Sequence, residues 1–206
     1  CWDEPKLRNM LRFPLLMSLG NGYFANFADC DARPVVYGER LQRAGELLRD
    51  APLTAMGQNL RGQPTDCIGD VPHFSRLLQR LFHPAGAGQP DGDTQDTLLR
   101  IIRRNGWTLC IKGGHNGESH NHNDVGSLMV YVDGHPLLVD AGNMVYTAKT
   151  FSDARYTLWN CRSMYHNVPL IGGFEQCAGA EYAARNFRAL PDGASLDMAG
   201  AYPAEA

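Results

Sequence analysis

Lysine is scarce in this sequence: only Lys6, Lys112 and Lys149 occur, so almost all of the positive charge is arginine. With a formal net charge of -3, the chain has no basic excess of the kind that tracks a phosphate backbone, and no nucleic-acid partner is expected. Long apolar runs are also missing. None approaches the ~18 residues needed to span a bilayer, so no membrane span is predicted. The six cysteines, Cys1, Cys30, Cys67, Cys110, Cys161 and Cys177, make no CxxC pair and lie far apart. They read as small buried hydrophobes and not as a disulfide framework, and they leave the redox compartment undecided. The N-terminus, CWDEPKLRNM, has neither an initiator methionine nor a signal-peptide core, and is expected to lie within a longer protein.

What is present suits a globular chain. At 206 residues, 44% hydrophobic and 20% charged, it can bury a sizeable core, and it is large for one domain and small for two. The first part reads as helical. Pro5 to about Leu19 has a helical pattern that Pro14 should kink or end, and Arg40 to Arg49 is amphipathic with Leu41, Ala44, Leu47 and Leu48 inward. Pro72 to Phe82 gives a further helix, with His73 and His83 at its ends explained by capping and packing. Between the first two helices lies GNGYFANFADCDARP. Its Tyr23, Phe24 and Phe27 beside Asn26, Asp29 and Asp31 fit either a sugar site or a plug on the helical layer.

After residue 83 the pattern changes. HPAGAGQPDGDTQD is rich in Pro, Gly and Asp, and it is the expected connector between a helical part, 1–84, and a β part, 97–206, with 85–96 as linker. TLLRIIRR and WTLCIKGG flank Asn105-Gly106, a type I′ hairpin signal, and a second hairpin turns at Asp133-Gly134. Helices first and hairpins afterwards predict an α+β, two-part architecture. Past Gly142 a long connection rich in Tyr, Arg and Ser leads to VPLIGG, which reads as another strand.

The densest chemistry lies in KGGHNGESHNHND, residues 112 to 124. On an extended backbone His120, His122 and Asp124 would share one face, bringing two imidazoles and a carboxylate together as ligands for a zinc-like ion. A solvated His-rich loop is the plain alternative, but the run leads straight into the apolar VGSLMVYV. Asp140 closes PLLVD and His166 precedes VPLI. A hairpin of 126–132 and 136–140 would return Asp140 beside His122, so that His122, Asp140 and His166 form a metal set and His120 is left free.

KGGHNGESHNHNDVGSLMVYVDGHPLLVDAG, with the later RYTLW and YHNVP, closely resembles the heparinase II/III-like proteins, a group that includes lyases of heparin-like and alginate-like polysaccharides. The resemblance is strong from about Thr97 to Gln176. It implies the end of an (α/α) toroid followed by an antiparallel β-sandwich. It also implies that His122, Asp140 and His166 are zinc ligands, with zinc mainly structural, that His120 is the active-site histidine, and that Tyr156 sits near the sugar. His115, Asn116 and Glu118 belong to a subgroup's extended motif and are candidate substrate contacts. Further catalytic residues of the toroid are expected to precede this chain.

Elimination at a uronic acid needs the sugar carboxylate neutralised, the C5 proton removed and the leaving oxygen protonated. In this reading His120 neutralises the carboxylate or shuttles a proton, Tyr156 is base or acid, and Arg155 either holds the acidic sugar or makes a structural salt bridge. The partner is then an acidic polysaccharide, with a homo-oligomer left open and a periplasmic or secreted location implied by the resemblance. Two other readings stand beside it. A metal-dependent hydrolase would use His120-x-His122-x-Asp124, although Val125 stands where an HxHxDH pattern needs histidine. A non-catalytic carbohydrate-binding sandwich would use zinc only to staple a loop.

Overall fold

The computed structural model describes residues 4–60, 94–95 and 98–206. The expected helix at 72–82, with His73 and His83, lies outside the described residues, as do Cys1, Cys67 and most of the connector. The chain divides into two units, one of residues 1–24 and 33–91 and the other of 25–32 and 92–206. Residues 25–32 thus belong to the later, β-rich unit although they lie between helices in sequence. Among the described residues no helix is long and apolar enough to cross a membrane.

The first unit holds α1 (Pro5–Met17), a short antiparallel pair β1 (Ser18–Gly20) and β2 (Tyr23–Phe24), α2 (Gly38–Leu48) and α3 (Ala51–Leu60). Pro5 starts α1, where a missing amide costs nothing. Of the two outcomes expected at Pro14, an end to the helix is not the one found, and the helix runs on to Met17. The carbonyl that loses its donor belongs to Met10, a residue 65% exposed, so water can take that acceptor. Leu15, Phe24, Leu41, Ala44, Leu48, Leu53 and Met56 form the core of this unit. Arg49 takes a left-handed conformation to close α2, and the Asp50 carboxylate accepts the Leu53 amide at 3.1 Å to cap α3.

The antiparallel helices α2 and α3 pack through glycine. A Cβ on Gly57 would land on the Gln42 backbone, and one on Gly45 would land on the Thr54 backbone. Neither backbone can move without displacing its helix, so the missing side chains set the helix spacing.

In the second unit every strand pair among the described residues is antiparallel. The main sheet has the order β3 (Thr94–Gln95), β4 (Leu99–Arg104), β5 (Trp107–Lys112), β7 (Leu128–Val132) and β8 (His135–Leu138). The β4–β5 and β7–β8 turns are the expected ones, with positive φ at Asn105, Gly106, Asp133 and Gly134. Ile101, Cys110 and Met129 face one another across three strands, each fully buried. Burial pushes the Cys110 thiol up, as befits a cysteine used for packing. Cys30, Cys110, Cys161 and Cys177 are all free thiols.

The strand expected at VPLIGG is absent. Only an isolated bridge joins Ile171 to Phe174 around the left-handed Gly172 and Gly173. Pro169 has no amide to give a ladder, and the Asn167 side chain, not a strand backbone, donates to the Leu128 and Val139 carbonyls at 2.8 Å each. Residues 148–165 hold four short 3₁₀ turns, at Ala148–Phe151, Arg155–Thr157, Trp159–Cys161 and Ser163–Tyr165. A two-residue strand β6 (His115–Asn116) pairs with β9 (Gly179–Ala183), and β10 (Arg185–Leu190) pairs with β11 (Gly193–Asp197).

The helix contact gives a stability prediction. Gly57→Ala should lower the unfolding free energy by about 1–3 kcal/mol through overpacking, despite alanine's higher helix propensity. Urea denaturation of both proteins measures it, and an unchanged or raised midpoint would contradict close packing at Gly57.

Candidate functional site

The loop of residues 113–127 leaves β5 and returns to the adjacent β7. Its base is clamped by two backbone bonds, from the Lys112 amide to the Ser127 carbonyl at 2.9 Å and from the Gly126 amide to the Lys112 carbonyl at 3.0 Å. Its interior is polar and shielded from the surface: Asn116, His122, Asp124 and Ser127 are fully buried and Asn121 nearly so. Such groups are tolerated only with partners. The buried Lys112 ammonium pairs with Asp124 and donates to the Asn121 side-chain oxygen at 3.2 Å. Gln176 supplies the other side. Its side chain donates to the Val125 carbonyl at 2.7 Å while accepting from the Val125 amide and from Asn116 at 3.0 Å each.

This geometry corrects the simplest reading of the His/Asp run. His120 has φ +58°, a left-handed conformation, so residues 120–124 do not alternate as a strand. Asp124 is therefore paired with Lys112 and lies outside the group formed by His122, Asp140 and His166.

Those three residues do come together, with one potential ligand atom from each lying within 4.8 Å of the others. All are buried. The His166 Nδ1 is 2.8 Å from Asp140, and its Nε2 donates to the Asn160 carbonyl at 2.8 Å. The His122 Nε2 lies 3.0 Å from Asp29, and its Nδ1 is buried with no hydrogen-bond partner among the described residues. Two imidazole nitrogens and a carboxylate oxygen, each ring held from behind by a carboxylate or carbonyl, form a donor set suited to a zinc-like ion. Burial pushes the His122 pKa down. Burial also opposes protonation of His166, but its hydrogen bond and charge interaction with Asp140 outweigh that and hold its pKa above the usual value.

His120 is different. Its side chain is half exposed, with Nδ1 3.0 Å from the Asp29 carboxylate. The Tyr146 and Phe151 rings lie 6.2 and 5.9 Å from it, centroid to centroid. The Tyr146 hydroxyl is 3.4 Å from the same Nδ1, and it is Tyr146, not Tyr156, that comes within hydrogen-bonding range of His120. Tyr156 is half-buried in the 3₁₀ turn Arg155–Thr157. Arg155 is turned inward. Its guanidinium donates to the carbonyls of Thr150, Asn121 and His120 at 3.0, 3.0 and 2.9 Å, and to Asp29 at 2.8 Å. Of the two roles open to Arg155, this is the salt-bridge geometry.

Burial alone would raise the Asp29 pKa, but the hydrogen bonds from Arg155, His120 and His122 hold it below the usual carboxylate range. Asp29 and Tyr146 are the site residues that sequence reasoning did not assign. Asp29 stood among the polar groups of an aromatic loop, 91 positions before His120, with no spacing to connect them.

The extended-motif residues are spread out. The Asn116 amide is occupied by Gln176 and by the Cys177 carbonyl at 2.9 Å. The Glu118 carboxylate accepts the His115 amide at 3.2 Å, and the His115 Nδ1 accepts the Gly117 amide at 3.1 Å. These bonds shape the turn itself.

The buried ion pair is testable. Lys112→Met leaves Asp124 buried without its cation and should cost about 3–5 kcal/mol, while adding Asp124→Asn should recover a substantial part. Denaturant titration of the single and double variants measures both. Equal stability of Lys112→Met and the parent would contradict the pairing.

A family model described as heparinase II/III-like, C-terminal, matches residues 88–196. A comparison with curated protein sequences gives no match. Among solved structures, a heparinase III with methylated lysines is similar at TM-score 0.57 and 15% identity, covering 92% of this chain and 27% of that one. A second heparinase III is similar at the same TM-score and identity, covering 94% of this chain and 30% of that one. The chain spans under a third of the length of these structures, and at this identity the likeness is one of fold, helices followed by antiparallel sheets. With the family match covering more than half of its residues, the chain belongs to the heparinase II/III-like family, in its C-terminal region.

Proposed function

We propose that this chain is part of a polysaccharide lyase that cleaves a uronic-acid-containing polysaccharide, heparin-like or alginate-like, by β-elimination. The observation that carries the reading is the contrast within one short motif: His122 is fully buried in a ligand-like cluster, while His120 is half exposed beside two aromatic rings. In this reading the helical unit is the end of an (α/α) toroid, and the second unit is the start of a β-sandwich.

His122, Asp140 and His166 would hold zinc, whose contribution is to fix the loop. The His122 Nδ1, buried without a partner, fits that role, and so do the supports behind each ring. Burial of all three residues favours a structural ion over one that activates water for hydrolysis.

The reaction needs three things from the protein. His120 offers a hydrogen bond to the uronate carboxylate, or passes a proton, and so makes the C5 proton easier to remove. Tyr156 acts as base or acid. Tyr146 keeps its hydroxyl proton, since partial desolvation and the negative charge of Asp29 push its pKa up, and that hydroxyl lies 3.4 Å from the His120 Nδ1. Positioned groups of this kind commonly contribute about 10²–10⁴-fold. Arg155 serves from within, holding the backbone that presents His120.

Elemental analysis of the purified protein before and after chelation should find about one zinc per chain. His122→Ala should lower metal content and stability together. In the full-length protein His120→Ala should keep the metal and lose activity, read as the ultraviolet absorbance of the unsaturated uronate product. Equal metal loss in the two variants would sink this division of roles, and new reducing ends without unsaturation would point to hydrolysis.

A further inference from the structure

Asp29 is an acceptor shared by two histidines with different tasks. Its side chain is 3% exposed. One oxygen, Oδ2, lies 3.0 Å from the His120 Nδ1, and the other, Oδ1, lies 3.0 Å from the His122 Nε2. The Arg155 Nη2 donates to Oδ1 at 2.8 Å. An ionised carboxylate can only accept, so both ring nitrogens facing it must carry hydrogen. In each neutral ring the lone pair is then left on the other nitrogen. For His122 that nitrogen is Nδ1, which is buried with no hydrogen-bond partner among the described residues. For His120 it is Nε2, on a side chain that is half exposed.

We propose that Asp29 is a positioning residue that sets both histidines at once, so that Nδ1 is the ring atom His122 leaves to its cluster with Asp140 and His166, while the His120 Nε2 lone pair faces the sugar as a proton acceptor. The proposal rests on the reading of His120 as a group that passes a proton at the substrate, since a ring nitrogen without hydrogen cannot donate to the uronate carboxylate. Arg155 makes the arrangement stiff, since the guanidinium that holds Asp29 also holds the left-handed backbone at His120 and the next carbonyl, that of Asn121. Asparagine cannot replace Asp29. Three donors converge there, from His120, His122 and Arg155, and an amide would turn its own NH₂ group toward at least one of them.

The test reads hydrogen position directly. In the full-length protein labelled with ¹⁵N at histidine, the imidazole nitrogen shifts and couplings report which nitrogen carries hydrogen. The parent protein should show His120 with hydrogen on Nδ1 and His122 with hydrogen on Nε2. Asp29→Asn should lose the single His120 form, while His166, bonded to the Asn160 carbonyl, keeps its pattern and shows that the fold is intact. In activity, kcat should fall at least about tenfold, with KM changed less than about twofold.

A parent protein with His120 protonated on Nε2 would overturn the proposal without any variant having to fold. So would an Asp29→Asn protein with the His120 form and kcat unchanged. If the parent shows the expected forms but no uronate polysaccharide yields unsaturated product, the lyase reading falls and the shared role of Asp29 stands.

Discussion

The Lys112 ammonium, buried against Asp124 where β5 passes into the loop, is the interaction on which the histidine site depends. A charge taken out of water is tolerated only with its partner in place, so the pair disfavours any loop conformation that separates β5 from residue 124. The same ammonium reaches Asn121, the residue between the two histidines. The strand ladder thereby fixes the middle of the motif from below. Gln176 fixes it from the side, through both the amide and the carbonyl of Val125. A loop of this length without such bonds would be free to sample many arrangements.

On that base, two kinds of histidine arise from two positions of one motif. His122 is carried inward by the same turn that leaves His120 half exposed, and the change is made at a single left-handed residue. An alternating strand could not do this. Side chains two apart on a strand share a face, and both rings would meet the same surroundings. The positive φ at His120 is held by the Arg155 bond to its carbonyl, so the local strain and the guanidinium that offsets it belong together.

Much of this was legible in the sequence where the signals are short in range. Asn105-Gly106 and Asp133-Gly134 specify their turns chemically, and the hairpin they predict does return Asp140 to His122. The Arg40–Arg49 periodicity gave a helix within two residues of the observed Gly38–Leu48. Misreadings came where tertiary contacts override local pattern. HNHND has the alternation of a strand, yet Lys112 and Arg155 impose a turn. VPLI has β-branched and apolar residues, yet the Asn167 side chain takes the carbonyls that a strand would need. Asp29 was out of reach for a further reason: nothing in the spacing of a carboxylate and an imidazole 91 positions apart indicates that they meet.

The placement of residues 25–32 bears on how this architecture can be divided. A β-rich unit that took all its residues from one continuous stretch could be moved between proteins, or lost, as a block. Here the eight residues that include Asp29 are threaded in from among the helices. A cut at the main division would keep the sheet, His120 and the His122–Asp140–His166 cluster but leave out the carboxylate between the two histidines. The unit is contiguous in space but not in sequence, so its inheritance as a working whole is tied to that of the helices that flank the segment.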